Sequence, residues 1–193
     1  MKRTNRIILA IGIAYAVVAL AQEDKLMERQ FVSPDGRFCV HLEKTEGAGG
    51  IVMTKVDLVA AKSGEELCEL GTVGNPWAAN IRVLWSPDSR RFAYVEPRRR
   101  GDWTELWVSK GNSFEELDRP DTPWFGGYSN LKGDHIAKTV LSSYSAVRWT
   151  KPDVLLIDDS CENDEGDSAR MRVAVHFDAS NRMTVTRVGG KRR

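Results

Sequence analysis

The chain has 193 residues, with 28 lysines and arginines against 27 acidic residues, a formal net charge of +1 and 41 % hydrophobic residues. This length fits one domain, and the near-cancelled charge supplies no global field to recruit nucleic acid or an acidic membrane surface. Three cysteines allow at most one internal disulfide.

The first 21 residues read as a leader. Lys2, Arg3 and Arg6 precede an apolar run over residues 7–20, closed by Ala19-Leu20-Ala21 before Gln22. A charged start, an apolar stretch and a small-residue site are the marks of a secretory signal cleaved after Ala21. The run falls short of the roughly 20 apolar residues that a membrane span needs. The expectation is an exported protein, periplasmic or secreted, with no stable membrane anchor after cleavage. Residues 22–193 form its single domain.

Thereafter the chain alternates as β-strands do. Phe31-Val32 leads into a turn at Ser33-Pro34-Asp35-Gly36, where proline presets φ and the glycine accepts a positive φ. Strands follow from Phe38, over 51–61 and over 65–73. A second set starts at Ile81, turns at Ser86-Pro87-Asp88-Ser89, and continues over 92–96, 103–109 and 114–117. A third begins at Ser145, turns at Pro152-Asp153, and continues over 154–157, 171–177 and 183–188. The sequence therefore predicts twelve strands in an all-β fold, with a long connection over 118–139 and a single helical turn near His135. Cys39 and Cys68 fall on strands separated by a third, too far apart for a disulfide. Cys161 is expected in a loop.

The three starts lie about fifty to sixty-five residues apart, a spacing that suggests stacked or radial β units. The pattern aromatic-Ser-Pro-Asp-Gly, a basic residue and an apolar strand, closed later by a Lys-Ser-Gly or Lys-Gly turn, resembles the TolB-type β-propeller repeat. Ser33-Pro34-Asp35-Gly36 fits fully, Ser86-Pro87-Asp88-Ser89 lacks the glycine, and Thr150-Lys151-Pro152-Asp153 carries an inserted lysine. The resemblance implies a partial β-propeller of three four-stranded antiparallel blades, over residues 31–73, 81–117 and 145–188. It is nearly silent on activity, because such folds host unrelated functions. Propellers close with four to eight blades. Three blades either stand open or close a six-bladed ring as a homodimer.

In such blades the segments 46–50, 97–102, 120–135 and 158–167 share one rim, opposite the Pro-Asp turns. Binding residues concentrate on loops carried by a rigid scaffold. The rim candidates are Arg98, Arg99, Arg100, Trp124, Phe125, Tyr128 and His135, since arginine and aromatic residues favour protein interfaces. The bland reading is a set of solvated loops capping the core. Asp158, Asp159, Glu162 and Asp164 offer carboxylates to a hard cation, although their order departs from an EF-hand. Arg100-Gly101-Asp102 spells an adhesion tripeptide that arises readily by chance. The scattered His41, His135 and His176 lack zinc spacing, and neither a phosphate loop nor a nucleophile elbow is present. No cofactor is indicated and an enzyme has no supporting motif. The expected function is an exported protein-binding or scaffolding module acting through the loop rim or an exposed blade edge. The alternative is a small-ligand binder or hydrolase-like enzyme whose site forms in the six-bladed homodimer.

Overall fold

A computed structural model of the chain describes residues 31–99, 101–118, 139–163 and 168–188. They fold into three antiparallel sheets. Sheet one contains β1 (Phe38–Glu46), β2 (Val52–Ala60) and β3 (Glu66–Gly74); sheet two contains β4 (Arg82–Trp85), β5 (Arg91–Arg98), β6 (Gly101–Lys110) and β7 (Ser113–Glu116). Sheet three contains β8 (Thr139–Lys151), β9 (Val154–Asn163), β10 (Ser168–Phe177) and β11 (Met183–Val188). Within each sheet the strands lie side by side in chain order, as hairpin connections require. Short 3-10 turns occupy Ala48–Gly50 and Trp77–Asn80.

The sheets stack face to face because sheet two is apolar on both sides. Strand periodicity sends Phe92 and Tyr94 to one face of β5, and Ala93 and Val95 to the other. The first pair joins Phe38, Val40, Val56, Leu58 and Val73 of sheet one. The second joins Ala146, Leu155, Ile157, Val173 and Val175 of sheet three. Phe92 is the centre of an aromatic cluster, with ring centroids 4.8 Å from Trp85, 5.3 Å from Phe114 and 6.0 Å from Trp107. Such tilted and offset contacts add to the area that each ring buries.

The first two Pro-Asp turns are built alike. Ser33 Oγ donates to Asp35 Oδ1 (2.7 Å) and accepts from Phe38 N (3.0 Å); Ser86 Oγ donates to Asp88 Oδ1 (2.6 Å) and accepts from Arg91 N (3.0 Å). Gly36 has φ 71°, and Ser89, at the matching place, has φ 58°. The serine hydroxyl at this left-handed position accepts from Asp35 N at 3.0 Å and so ties one turn to the other. The indoles follow suit: Trp85 Nε1 donates to Phe31 O (2.9 Å), and Trp149 Nε1 to Leu84 O (2.7 Å).

A polar frame fixes sheet three on sheet two. Arg82 Nη2 reaches Asp102 Oδ2 (2.8 Å) and Ser145 Oγ (2.7 Å), while Nη1 reaches Ala146 O (3.1 Å). Buried Thr104 Oγ1 donates to Tyr144 O (2.7 Å) and accepts from Ala146 N (2.9 Å). Gly101, at φ 126°, lets β6 approach β8 closely: a Cβ there would stand 2.5 Å from Ser143 Cβ.

Several sequence expectations need correction: β5 runs through Arg98 and β6 starts at Gly101, so 97–102 is a strand hairpin rather than a loop, and β8 starts at Thr139 rather than at Ser145. Residues 31–32 are not a strand, so the described residues hold eleven strands; the turn there retains only Ser33 N to Phe38 O (2.9 Å) as a ladder-like bond. The acidic segment from Asp158 is not a loop, because β9 continues to Asn163. Cys161 therefore lies on a strand, and it is buried. Cys39 and Cys68 do sit on β1 and β3, with β2 between them, and none of the three cysteines forms a disulfide. The leader and the helical turn expected near His135 lie outside the described residues.

The Ser89 hydroxyl gives a test with a definite sign. Ser89→Ala keeps the left-handed backbone and removes the acceptor of Asp35 N, so it should destabilise by about 1–2 kcal/mol. Ser89→Gly loses the same bond but relieves roughly 1 kcal/mol of backbone strain, and should cost less than half as much. Urea midpoints of the two variants, at unchanged m, check the order.

Candidate functional site

The three Pro-Asp turns gather at one end. Asp35 meets Ser89 there, and Arg91 Nη1 donates to Pro152 O at 3.4 Å. Antiparallel alternation then sends the 47–51 connection and Arg99 to the opposite end, where the rim was expected. Of the rim candidates, Arg98 and Arg99 lie within the described residues and Arg100, Trp124, Phe125, Tyr128 and His135 lie outside them. Arg99 is exposed. Arg98 is engaged within the chain: Nε and Nη2 donate to Glu96 Oε2 at 2.9 and 2.5 Å, and its guanidinium lies 4.6 Å from the Trp103 ring centroid. Asp102 of the adhesion-like tripeptide is held by Arg82 and Ser145.

The carboxylates proposed for a metal do not converge. Asp158 and Asp159 are successive on β9 and point to opposite faces. Asp158 is on the outer face, where Arg172 Nε (2.6 Å) and Arg170 Nη2 (2.7 Å) bind it; the Arg172 bond first, against the effect of burial, holds its carboxyl below the usual range. Asp159 follows Leu155 and Ile157 inward and is buried. Glu162 shares the parity of Asp158, and Asp164 lies outside the described residues. Among the described residues no group of three potential ligands could hold a metal ion.

The most unusual chemistry lies on the face of sheet two turned toward sheet one. Strand register sets Tyr94 opposite Glu105, Glu96 opposite Trp103, and Trp107 opposite Glu116. Three carboxylates thus run diagonally across β5, β6 and β7, interleaved with aromatic rings. Burial first, then Glu116 and Glu96, pushes the Glu105 carboxyl up to about 7. Trp107 Nε1 draws it back slightly without closing a full hydrogen bond. Tyr94 Oη is buried without a partner, 3.9 Å from where a Cβ on Gly71 would stand, and burial, then Glu96 and Glu105, raises its pKa. On β3 the Cys68 thiol is pushed up to about 11 by burial, then by Asp57 and Glu66, so it stays protonated at neutral pH. Sequence reasoning missed this strip. Its signal was Trp103-x-Glu105-x-Trp107, a carboxylate between two inward rings.

Compared with known proteins, the chain matches no family model and no curated relative.

The raised Glu105 pKa fixes a pH dependence. Its folded value lies above the unfolded one, near 4.5, so the folded state binds the extra proton. The stabilisation is complete below about pH 4.5 and is lost as pH rises through about 7. Discounted for solvent screening, the loss is about 1–2 kcal/mol. Glu105→Gln should flatten urea-derived stability between pH 5 and 8 and exceed the parent at pH 8; a parent already flat over that window would contradict the assignment.

Proposed function

We propose that the three sheets are blades of a partial, TolB-type β-propeller and that the chain is an exported protein-binding module. The like-built turns support the blade reading, as do the two indole bonds, which run from Trp85 and Trp149 to the residue two before the preceding Ser-Pro-Asp turn, Phe31 and Leu84. Export rests on the leader-like first 21 residues.

The observation that carries the binding reading is the contrast between the outer edges of the sheets. Edge strands present unpaired backbone groups, and proteins blunt them with bulges, shortness or charge. β3 has register shifts at Val56/Asp57 and Leu58/Val59 and two glycines. β7 spans only four residues and carries Glu115 and Glu116. β11 has no register shift, is longer than β7, and carries a single charge, Arg187. It runs six residues in unbroken register with β10, is rich in β-branched Thr184, Val185, Thr186 and Val188, and pairs with β10 alone among the described residues. A strand of a partner adds to such an edge through main-chain hydrogen bonds, with its side chains alternating into the neighbouring faces. This is an interaction surface and asks for no catalytic group.

A photocrosslinking residue at Thr186, compared with one at Thr72 on β3, tests the reading in the exported compartment. A protein adduct of one defined mass should form from position 186 and not from 72, and Thr184→Lys with Val188→Lys should abolish it. Adducts of equal yield from both positions would contradict edge docking. A homodimer that persists on dilution, with no adduct, would favour instead the six-bladed ring and a ligand at its centre.

A further inference from the structure

The outer edges of the three sheets differ in charge as well as in shape. β3 bears Glu66 and Glu69 and no cation, and β7 bears Glu115 and Glu116 and no cation. β11 bears Arg187 and no anion. Its surroundings have the same sign: from Ser168 to Val188 the chain holds Arg170, Arg172, Arg182 and Arg187 against Asp178 alone. Asp158 of β9 accepts from both Arg170 and Arg172, one carboxylate for two guanidiniums, and Asp178 is taken by Arg182 (2.7 Å). Arg187 is exposed and has no carboxylate partner among the described residues. The turn between β10 and β11 decides which backbone groups stay open. Asp178 N donates to Arg182 O (3.0 Å), a hydrogen-bonded pair across that turn. Such pairs recur at every second residue of an antiparallel ladder, so Thr184, Thr186 and Val188 bond to His176, Ala174 and Arg172. Met183, Val185 and Arg187 therefore turn their N–H and C=O groups away from β10, to the open side. Their side chains share one face, on which Met183 and Val185 pack against the core between sheets two and three.

We propose that the strand received by β11 is acidic: an extended segment of a protein partner, with apolar residues opposite Met183 and Val185 and a carboxylate opposite Arg187. This partner chemistry presupposes strand addition at β11. The open N–H and C=O groups of Met183, Val185 and Arg187 take the partner's main chain whatever its sequence, and its side chains give the choice. Directly opposite residues of an antiparallel pair have Cβ atoms about 4.5–5.5 Å apart, so a carboxylate facing Arg187 meets the guanidinium, and a cation there is repelled. Apolar residues opposite Met183 and Val185 extend the face that these two begin. The other two outer edges act in the opposite sense. An acidic strand is repelled by Glu66 and Glu69 on β3 and by Glu115 and Glu116 on β7. Charge thus directs one partner to sheet three and away from sheets one and two, by repulsion as much as by attraction.

The probe is a synthetic peptide, Thr-Glu-Thr-Val-Thr-Val-Thr, blocked at both ends, with analogues carrying Gln or Lys in place of Glu. Laid antiparallel on β11, it sets the glutamate against Arg187 and the valines against Val185 and Met183. The readout is the backbone amide resonances of the nitrogen-15-labelled protein. The N–H groups of Met183, Val185 and Arg187 should shift saturably, and those of Thr184 and Thr186 much less. The Glu peptide should bind about three- to tenfold more tightly than the Lys peptide, with the Gln peptide between them, a ratio set by one cross-strand charge pair. Added salt should narrow that ratio. Arg187→Glu should invert the order of the peptides, a result that a damaged fold cannot give. Equal binding of all three peptides would leave strand addition standing and overturn the acidic partner. Silence of the β11 amides toward all three would overturn both. Shifts of the same amides on concentrating the protein alone would make a second copy of the chain the occupant, and would likewise overturn the separate partner.

Discussion

The fold depends on the double burial of β5. Phe92, Ala93, Tyr94 and Val95 are consecutive and all essentially inaccessible, so one strand supplies the inner wall of both cores. Fully burying a large apolar side chain contributes about 1.5–3 kcal/mol, and here burial on the two faces is coupled through a single backbone. A slip of one residue would exchange Phe92 and Tyr94 for Ala93 and Val95 across the sheet. The aromatic cluster would then face the small-residue core of sheet three. This mismatch fixes the register of sheet two, and through it the positions of the other two sheets.

Around that wall, hydrogen bonds set direction more than they add stability. The Ser-Asp turns satisfy the backbone groups that each sharp reversal leaves over, and the Trp85 and Trp149 indoles reach a main-chain oxygen of the preceding segment. Arg82, Asp102 and Ser145 serve the same purpose at the opposite end, where Gly101 allows the backbones to close. The Glu96–Glu105–Glu116 strip departs from this pattern of satisfied polar groups. A half-buried Glu105 carboxyl with acidic neighbours and a Tyr94 hydroxyl without a partner both oppose folding.

Much of the fold was legible in the sequence. The Pro-Asp turns, the strand alternation and the span of β11 over residues 183–188 agree with the structure, because local turn chemistry and period-two patterning determine them. The end of β9 was not legible. Asp158 and Asp159 read as a loop because the arginines that neutralise Asp158 come 12 and 14 residues later, and their approach depends on β10 pairing. Ser89 read as a loss of glycine, whereas its hydroxyl spans 54 residues to Asp35. For the candidate site, Arg98 was identified as a rim cation, and its contacts with Glu96 and Trp103 were not legible. The carboxylates that lack such a cation were invisible because cross-strand register, which no single strand encodes, brings them together.

Native-state hydrogen exchange tests most directly the claim that sheet two is the shared wall and that β11 is an open edge. The account predicts the slowest exchange at the amides of β5 and β6, from Phe92 to Val95 and from Thr104 to Val108, which should open only with global unfolding. It predicts β11 amides exchanging by local opening at far lower free energy. Slowest exchange in β9 and β10, with β5 opening independently, would mean that sheet three is the core and would contradict the account.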